Sequence, residues 1–350
     1  MKEARIAKWD NVKFFMILCV VTGHTLYEFI GDHTDTAKSI YLFIYTFHIP
    51  VLIFVSGLFS KHAVKGKRYE RVIQYLCVYL VMKLLDYLGS GMTAYTRKED
   101  FISLKFFGEI RKGLMAPRQT FHLFWEDGPG WFALAIAVYI LATILLQEVD
   151  RRVLLVSALM LGCLAGLDNH LGDHFASMRI CTFYPVFLMG YYMDPGKPHP
   201  KRISENLLAA VFLIFVLLVC LIRGNELYNR VNFLKGKTDY MSLGMGANGV
   251  IIRLICYGFW ILIILAIVLL APRKEYFWTW LGTRTMSIFI WHKFILTILL
   301  KLCYGKYFIQ YEMPHLYMFA AICVVVIVTV ITAYLPEFRI SHLREKSGGQ

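Results

Sequence analysis

The chain has 350 residues, of which 58% are hydrophobic, 15% aromatic and only 17% charged, with a formal net charge of +13. Length alone would suggest about two soluble domains, but so little polar surface excludes them. The positive charge does not imply nucleic acid: Lys and Arg gather in the short cytoplasmic loops of membrane proteins, and no basic stretch interleaved with aromatics lies in a polar region of sufficient size.

Apolar runs of about 20 residues, the length that crosses a bilayer, recur from end to end. They predict about ten transmembrane helices. In chain order these are Val12–Ile30, Ile40–Ser60, Tyr69–Leu88, Trp131–Glu148, Val153–Leu167, Arg179–Met193, Leu207–Ile222, Val250–Leu270, Thr285–Leu302 and Leu316–Leu335. The first run is too long for a signal peptide and no small-x-small cleavage site follows it, so it is expected to remain as a helix. An even count puts both termini on one side. Lys and Arg in the inner segments (Lys2, Arg5, Lys8; Lys61 to Arg71; Arg151, Arg152; Lys197, Lys201, Arg202; Arg273, Lys274, Arg284; Arg339, Arg344, Lys346) make that side cytoplasmic. Two connections are long, 89–130 and 223–249, and both fall outside. The expected fold is an all-α polytopic membrane protein with both termini cytoplasmic, residues 1–350 forming one integral membrane domain.

The eight cysteines lie almost wholly within apolar runs and include no C-x-x-C pair, so they read as small core residues. "GMGANG" (Gly244, Gly246, Gly249) follows no strand and reads as a loop. "HLGDH" (His170, Asp173, His174) has metal-like spacing, but no metal is expected there. Trp125, Trp131, Trp278 and Trp280 fit interfacial aromatic belts.

Ionisable groups inside the spans are costly and mark either a function or a satisfied interior pair. The first span opens "WDNVKFFMILCVVTGH". Lys13 to His24 is eleven residues, three turns plus about 20°. Asp10, Lys13 and His24 therefore share one face. Asp10 and Lys13 can pair at i, i+3, and His24 lies about 16 Å further along the axis. His48, in "FHIPVLIFVSG", is expected at a similar depth, and His292, in "SIFIWHKF", is also well inside its span. Each histidine serves either as an interhelical hydrogen-bonding group or as part of a reactive cluster. Arg68 and Arg71 sit i, i+3 at the start of the third span, as either a positive-inside anchor or a phosphate clamp. Lys83 and Asp86, also i, i+3, are expected to neutralise each other.

Six stretches in order, "WDNVKFFMILCVVTGH", "FHIPVLIFVSGLFSK", "RYER", "GPGWFALAIAVY", "FYPVFLMGYY" and "LGTRTMSIFIWH", resemble membrane acyltransferase family 3, and more closely its branch similar to fucose 4-O-acetylases. The first carries a basic residue, ten residues and then His; Lys13 stands where Arg is usual in the wider family. The resemblance implies transfer of an acetyl or other short acyl group from cytosolic acetyl-CoA to a hydroxyl of a cell-envelope sugar or lipid-linked glycan. It implies a multi-pass protein of the bacterial plasma membrane, in contact with lipids. Helical membrane proteins can form homodimers through small-residue faces, and the sequence shows no decisive one.

On that reading His24 is the general base and Asp10 orients Lys13. Lys13, Arg68 and Arg71 hold the donor phosphates. His48 and His292 position His24, shuttle its proton or stabilise the oxyanion, and Arg179 and Trp131 face the acceptor. The competing reading is a transporter or flippase of an envelope precursor or amino acid. Against it stand the absence of an inverted repeat and of a Gly/Pro-broken helix pair.

Overall fold

A computed structural model describes residues 7–29, 35–95, 128–172, 174–196, 202–307 and 314–337. Among them the regular structure is helical, with no β-strand. The helices are α1 (Ala7–Phe29), α2 (Asp35–Leu58), α3 (Lys61–Lys65), α4 (Tyr69–Tyr95), α5 (Trp131–Leu145), α6 (Arg151–Leu164), α7 (Ser177–Tyr192), α8 (Ile203–Tyr228), α9 (Val231–Leu234), α10 (Asn248–Leu270), α11 (Thr279–Thr283), α12 (Thr285–Tyr307) and α13 (Pro314–Tyr334). Each of the ten apolar segments falls on one of the longer helices. Four stretches, Asp35–Leu58, Tyr69–Gly89, Ile203–Tyr228 and Asn248–Leu270, are long and apolar enough to cross a membrane by length and composition. Trp131–Leu145, Thr285–Leu299 and Phe319–Tyr334 are shorter apolar helices. Trp125, Asp173 and several residues used to orient the chain (Lys2, Arg5, Lys197, Lys201, Arg339, Arg344, Lys346) lie outside the described residues.

Burial sorts the helices. The apolar window of α2 is 83% buried, that of α8 only 22%. α2 is thus the interior helix, covered on most sides, while α8 keeps a broad apolar face outward. α2 packs on α1, α7 and α8, and α1 on α2, α11, α12 and α13. α4 joins α5 to α12. Pro50 lies inside α2 and Pro185 inside α7, and both helices continue through.

α2 and α7 meet backbone to backbone. A Cβ on Gly57 would strike the Phe187 carbonyl, and one on Gly190 would strike the Phe54 carbonyl. A Cβ on Gly282 in α11 would likewise strike the Asp10 carbonyl. Small residues allow this approach where helices associate by close packing.

The segment after α10 is pinned to α1 by Asn11, which is fully buried. Its Nδ2 donates to the carbonyls of Pro272 (3.0 Å) and Lys274 (2.9 Å), and its Oδ1 accepts from Thr279 Oγ1 (2.7 Å). Asn11→Leu keeps the size but leaves these three partners unsatisfied, at about 1–3 kcal/mol for each buried group. Its thermal midpoint should fall well below that of the wild type in a detergent unfolding scan. An unchanged midpoint would show that these bonds do not hold the junction.

The connection 223–249, expected as a long outer loop, is instead largely folded. α8 continues to Tyr228, α9 follows, and tight turns lead into α10 at Asn248. Two buried side chains explain this. Tyr240 donates its hydroxyl to the Cys163 carbonyl (2.9 Å) and its N–H to the Gly166 carbonyl (2.7 Å). Arg253 of α10 is 1% exposed; its Nη2 donates to the Phe233 carbonyl (2.7 Å) and its guanidinium lies 3.8 Å from the Phe233 ring centroid. A loop anchored at both Phe233 and Tyr240 folds against the bundle.

Candidate active site

One cavity of about 530 Å³ opens among α1, α2, α12, the starts of α5 and α7, and the 228–237 segment. Its volume is that of a small-molecule site, typically about 300–1,000 Å³. Helical spacing builds its walls. Val20, His24 and Tyr27 on α1 are separated by four and three residues. Tyr41, Tyr45, His48 and Leu52 on α2 are separated by four, three and four. Each set makes one stripe. Phe289 and Lys293 do the same on α12, and Trp131 and Arg179 close the cavity from α5 and α7.

The three expected site histidines are brought together. His24 and His48 line the cavity. His292 is fully buried behind them, its ring centroid 5.2 Å from that of His24, with the planes at 45°. His48 Nδ1 lies 2.7 Å from the Ile44 carbonyl, and His292 Nδ1 lies 2.8 Å from the Phe289 carbonyl and 3.1 Å from that of Ile288. His48 also meets the Tyr45 ring edge to face at 4.5 Å. The Arg179 guanidinium stacks 5.3 Å from the Trp131 ring, so these two act on the cavity as one unit. Trp131 is 8% exposed and sits in the cavity wall, not in an interfacial belt. Trp278 instead stacks on Tyr276, centroids 4.6 Å apart.

The other expected residues do not line the cavity: Asp10 and Lys13 lie at the start of α1, and Arg68 and Arg71 at the start of α4. Lys13 Nζ is 2.7 Å from Asp10 Oδ1 and 5.2 Å from the ring of Phe59, at the end of α2. Arg68 Nη2 lies 2.9 Å from His62 Nε2, and Arg71 Nη1 donates to Gln74 Oε1 (3.0 Å). The two guanidiniums therefore engage different neighbours. None of Asp10, Lys13, Arg68 or Arg71 lines the cavity.

Sequence reasoning missed Lys235. Its Nζ donates to the Tyr41 hydroxyl (2.6 Å) and lies 4.5, 5.0 and 5.9 Å from the rings of Tyr45, Tyr41 and Tyr27. Gly236 makes the turn that places it. Its φ of +62° is left-handed, and a Cβ there would come within 3.1 Å of Thr182. Lys235 and Lys237 both face the cavity. The "LKGK" run was the only signal, and nothing in its periodicity says that it folds inward. The expected Lys83–Asp86 pair is also corrected: Asp86 pairs with Lys293 of α12 at 2.7 Å, because α4 and α12 pack together and a cross-helix ammonium reaches the carboxylate directly.

A helical bundle of membrane-spanning character with a polar cavity inside it, walled by histidines, tyrosines and basic groups, is the framework of a membrane-embedded enzyme. The chain belongs to the acyltransferase 3 family: the family described as an acyltransferase domain matches residues 6–334, nearly its whole length. It is an acyltransferase. No curated protein and no solved structure matches the chain.

Proposed function

We propose that this acyltransferase moves an acetyl or other short acyl group from cytosolic acyl-CoA to a hydroxyl of a cell-envelope sugar or lipid-linked glycan, with His24 as general base. One observation carries the reading: His24 is the imidazole that α1 presents to a ligand-sized cavity, beside Tyr27, while the same helix carries the Asp10–Lys13 pair at its far end. In this proposal about ten helices span the bacterial plasma membrane and both termini are cytoplasmic. The Lys13 end then faces the cytosolic donor and the cavity opens towards the envelope. Lys13, Arg68 and Arg71 hold the phosphates of acetyl-CoA. Its pantetheine arm covers the roughly 16 Å to His24. The acceptor sugar packs against Trp131 beside Arg179. The branch resembling fucose 4-O-acetylases fits such an acceptor.

The chemistry balances with the chain's own groups. His24 takes the proton of the sugar hydroxyl as its oxygen attacks the thioester carbonyl. The tetrahedral intermediate collapses with cleavage of the C–S bond. The CoA thiolate takes the proton back from the imidazolium, leaving an acyl ester and free CoA.

Incubating the purified chain with labelled acetyl-CoA and an envelope glycan fraction tests this directly. Label should appear on the glycan in an alkali-labile ester; its absence from every acceptor sinks the carbohydrate reading. A second measurement checks the donor end. Acetyl-CoA should raise the unfolding temperature, and Arg68→Ala or Arg71→Ala should each weaken its apparent affinity about tenfold, as expected for one lost charge-assisted hydrogen bond. Wild-type affinity in both variants would place the phosphates elsewhere.

A further inference from the structure

The structure fixes the proton of the histidine behind the cavity wall, and that proton defines its task. Carbonyl oxygens only accept hydrogen bonds, so His292 Nδ1, facing the carbonyls of Phe289 and Ile288, carries the hydrogen. In the neutral ring Nε2 is then a lone-pair acceptor. That atom is buried and has no hydrogen-bond partner among the described residues. Buried polar atoms without partners are rare, and each needs a reason. A ring that could supply a donor is His24, whose centroid is 5.2 Å from that of His292. An imidazole nitrogen lies about 1.2 Å from its ring centre, so two rings at this separation can reach an N–H···N hydrogen-bond length where their nitrogens turn towards each other. Catalytic contacts often close only when substrate is bound.

We propose that His292 is a positioning residue: its Nε2 accepts the N–H of one His24 ring nitrogen, so that the other nitrogen presents its lone pair to the acceptor hydroxyl in the cavity. This rests on the assignment of His24 as the base. It excludes an oxyanion-donor role for neutral His292, because its only N–H is committed to backbone. It also explains why His292 is behind the cavity wall and His24 in it. The division is that of a base and the acceptor that sets its tautomer. The titratable and charged groups facing His24 are His292 and Lys293 from α12, His48 from α2 and Lys235 from the 228–237 segment.

Gln and Asn separate this role from packing. Glutamine places a carbonyl oxygen near the position of Nε2; asparagine reaches only that of Nδ1. Both variants of the full chain are purified in detergent and checked for a monodisperse elution profile. Two quantities are read: transfer from labelled acetyl-CoA to the envelope glycan fraction, and the pH midpoint for carbethoxylation of His24 by diethyl pyrocarbonate, mapped by peptide mass spectrometry. His292→Asn should lower kcat about ten- to a hundredfold with KM for acetyl-CoA within about twofold, and should move the His24 midpoint by about half a pH unit or more. His292→Gln should stay within about threefold of wild-type kcat and keep the wild-type midpoint. Equal impairment in the two variants, or an unmoved midpoint in His292→Asn, overturns the proposal. If no protein transfers label but the midpoint still moves in Asn and not in Gln, the coupling of the two histidines stands and the acyl-acceptor reading falls.

Discussion

His24→Ala should cut acyl transfer by about 10²- to 10⁴-fold, the usual contribution of a general base. The affinity for acetyl-CoA should stay close to that of the wild type, because the proposed phosphate contacts lie about 16 Å away along α1. That split between kcat and KM distinguishes loss of a proton acceptor from collapse of the donor site. The substitution removes a half-buried ring from a cavity wall, so the fold should survive it. A second signature follows from sign. A base works unprotonated, so the wild-type rate rises with pH through the titration of His24 and then levels off. The residual rate of the alanine variant should lack that limb. His24→Gln, which can hydrogen bond but not accept a proton at neutral pH, should behave like alanine. Initial rates with labelled acetyl-CoA at several pH values measure all of this. A variant retaining more than about a third of wild-type kcat would remove His24 from the mechanism.

His48 makes a useful contrast. It shares the cavity with His24, but its Nδ1 faces a carbonyl of its own helix and its ring is held by Tyr45. Its Nε2 is thereby set as an acceptor at the cavity surface. It lies on α2, a different cavity wall from that of His24 on α1.

Much of this could be read from the sequence, and the limits have physical causes. The long helices were visible because a run of about 20 apolar residues has few other uses. The shared face of Asp10, Lys13 and His24 followed from the 100° step, and the similar depth of His24 and His48 followed from counting residues along antiparallel helices. What could not be read depends on contacts between elements. Asp86 had a partner available at i, i+3, yet the structure pairs it with Lys293, which only the packing of α4 on α12 brings near. Lys235 lies between helices in a segment whose inward path depends on Gly236, Tyr240 and Arg253. Trp131 looked interfacial because Trp at a helix start usually is; Arg179 and the cavity hold it inside. Several of the stretches that carry the family resemblance contain the glycines of close backbone contacts. Gly57, Gly190 and Gly282 occur in "FVSG", "FLMGYY" and "LGTRT", so part of that signal records packing and not chemistry.

The largest structural effect should therefore come from Gly190→Val and Gly57→Val. At either site the added Cβ meets a carbonyl of the facing helix, and the carbonyl carbons themselves lie at 2.8 Å (Phe54) and 2.9 Å (Phe187). A flexible side chain could move aside, but backbone in the middle of a helix cannot, so α2 and α7 must separate. Overpacking costs about 1–3 kcal/mol where side chains give way, and a backbone collision belongs at or beyond the upper end. α2 is the interior helix of the bundle, so separation also opens its packing on α1 and α8. Both variants should lose most of their monodisperse elution peak after a heating step that the wild type survives. Gly258→Val on α10 is the control, since a Cβ there meets nothing within 4 Å; it should track the wild type. Equal midpoints for Gly190→Val and Gly258→Val would mean that the two helices are not in backbone contact. The milder Gly57→Ala connects packing to function. α2 carries His48 and the tyrosines of the cavity, and α7 carries Arg179. Even a partial separation moves the two walls apart, and displacing groups by about 1 Å from their reactive geometry can cost about 10²-fold in rate. A folded Gly57→Ala protein should therefore transfer the acyl group slowly.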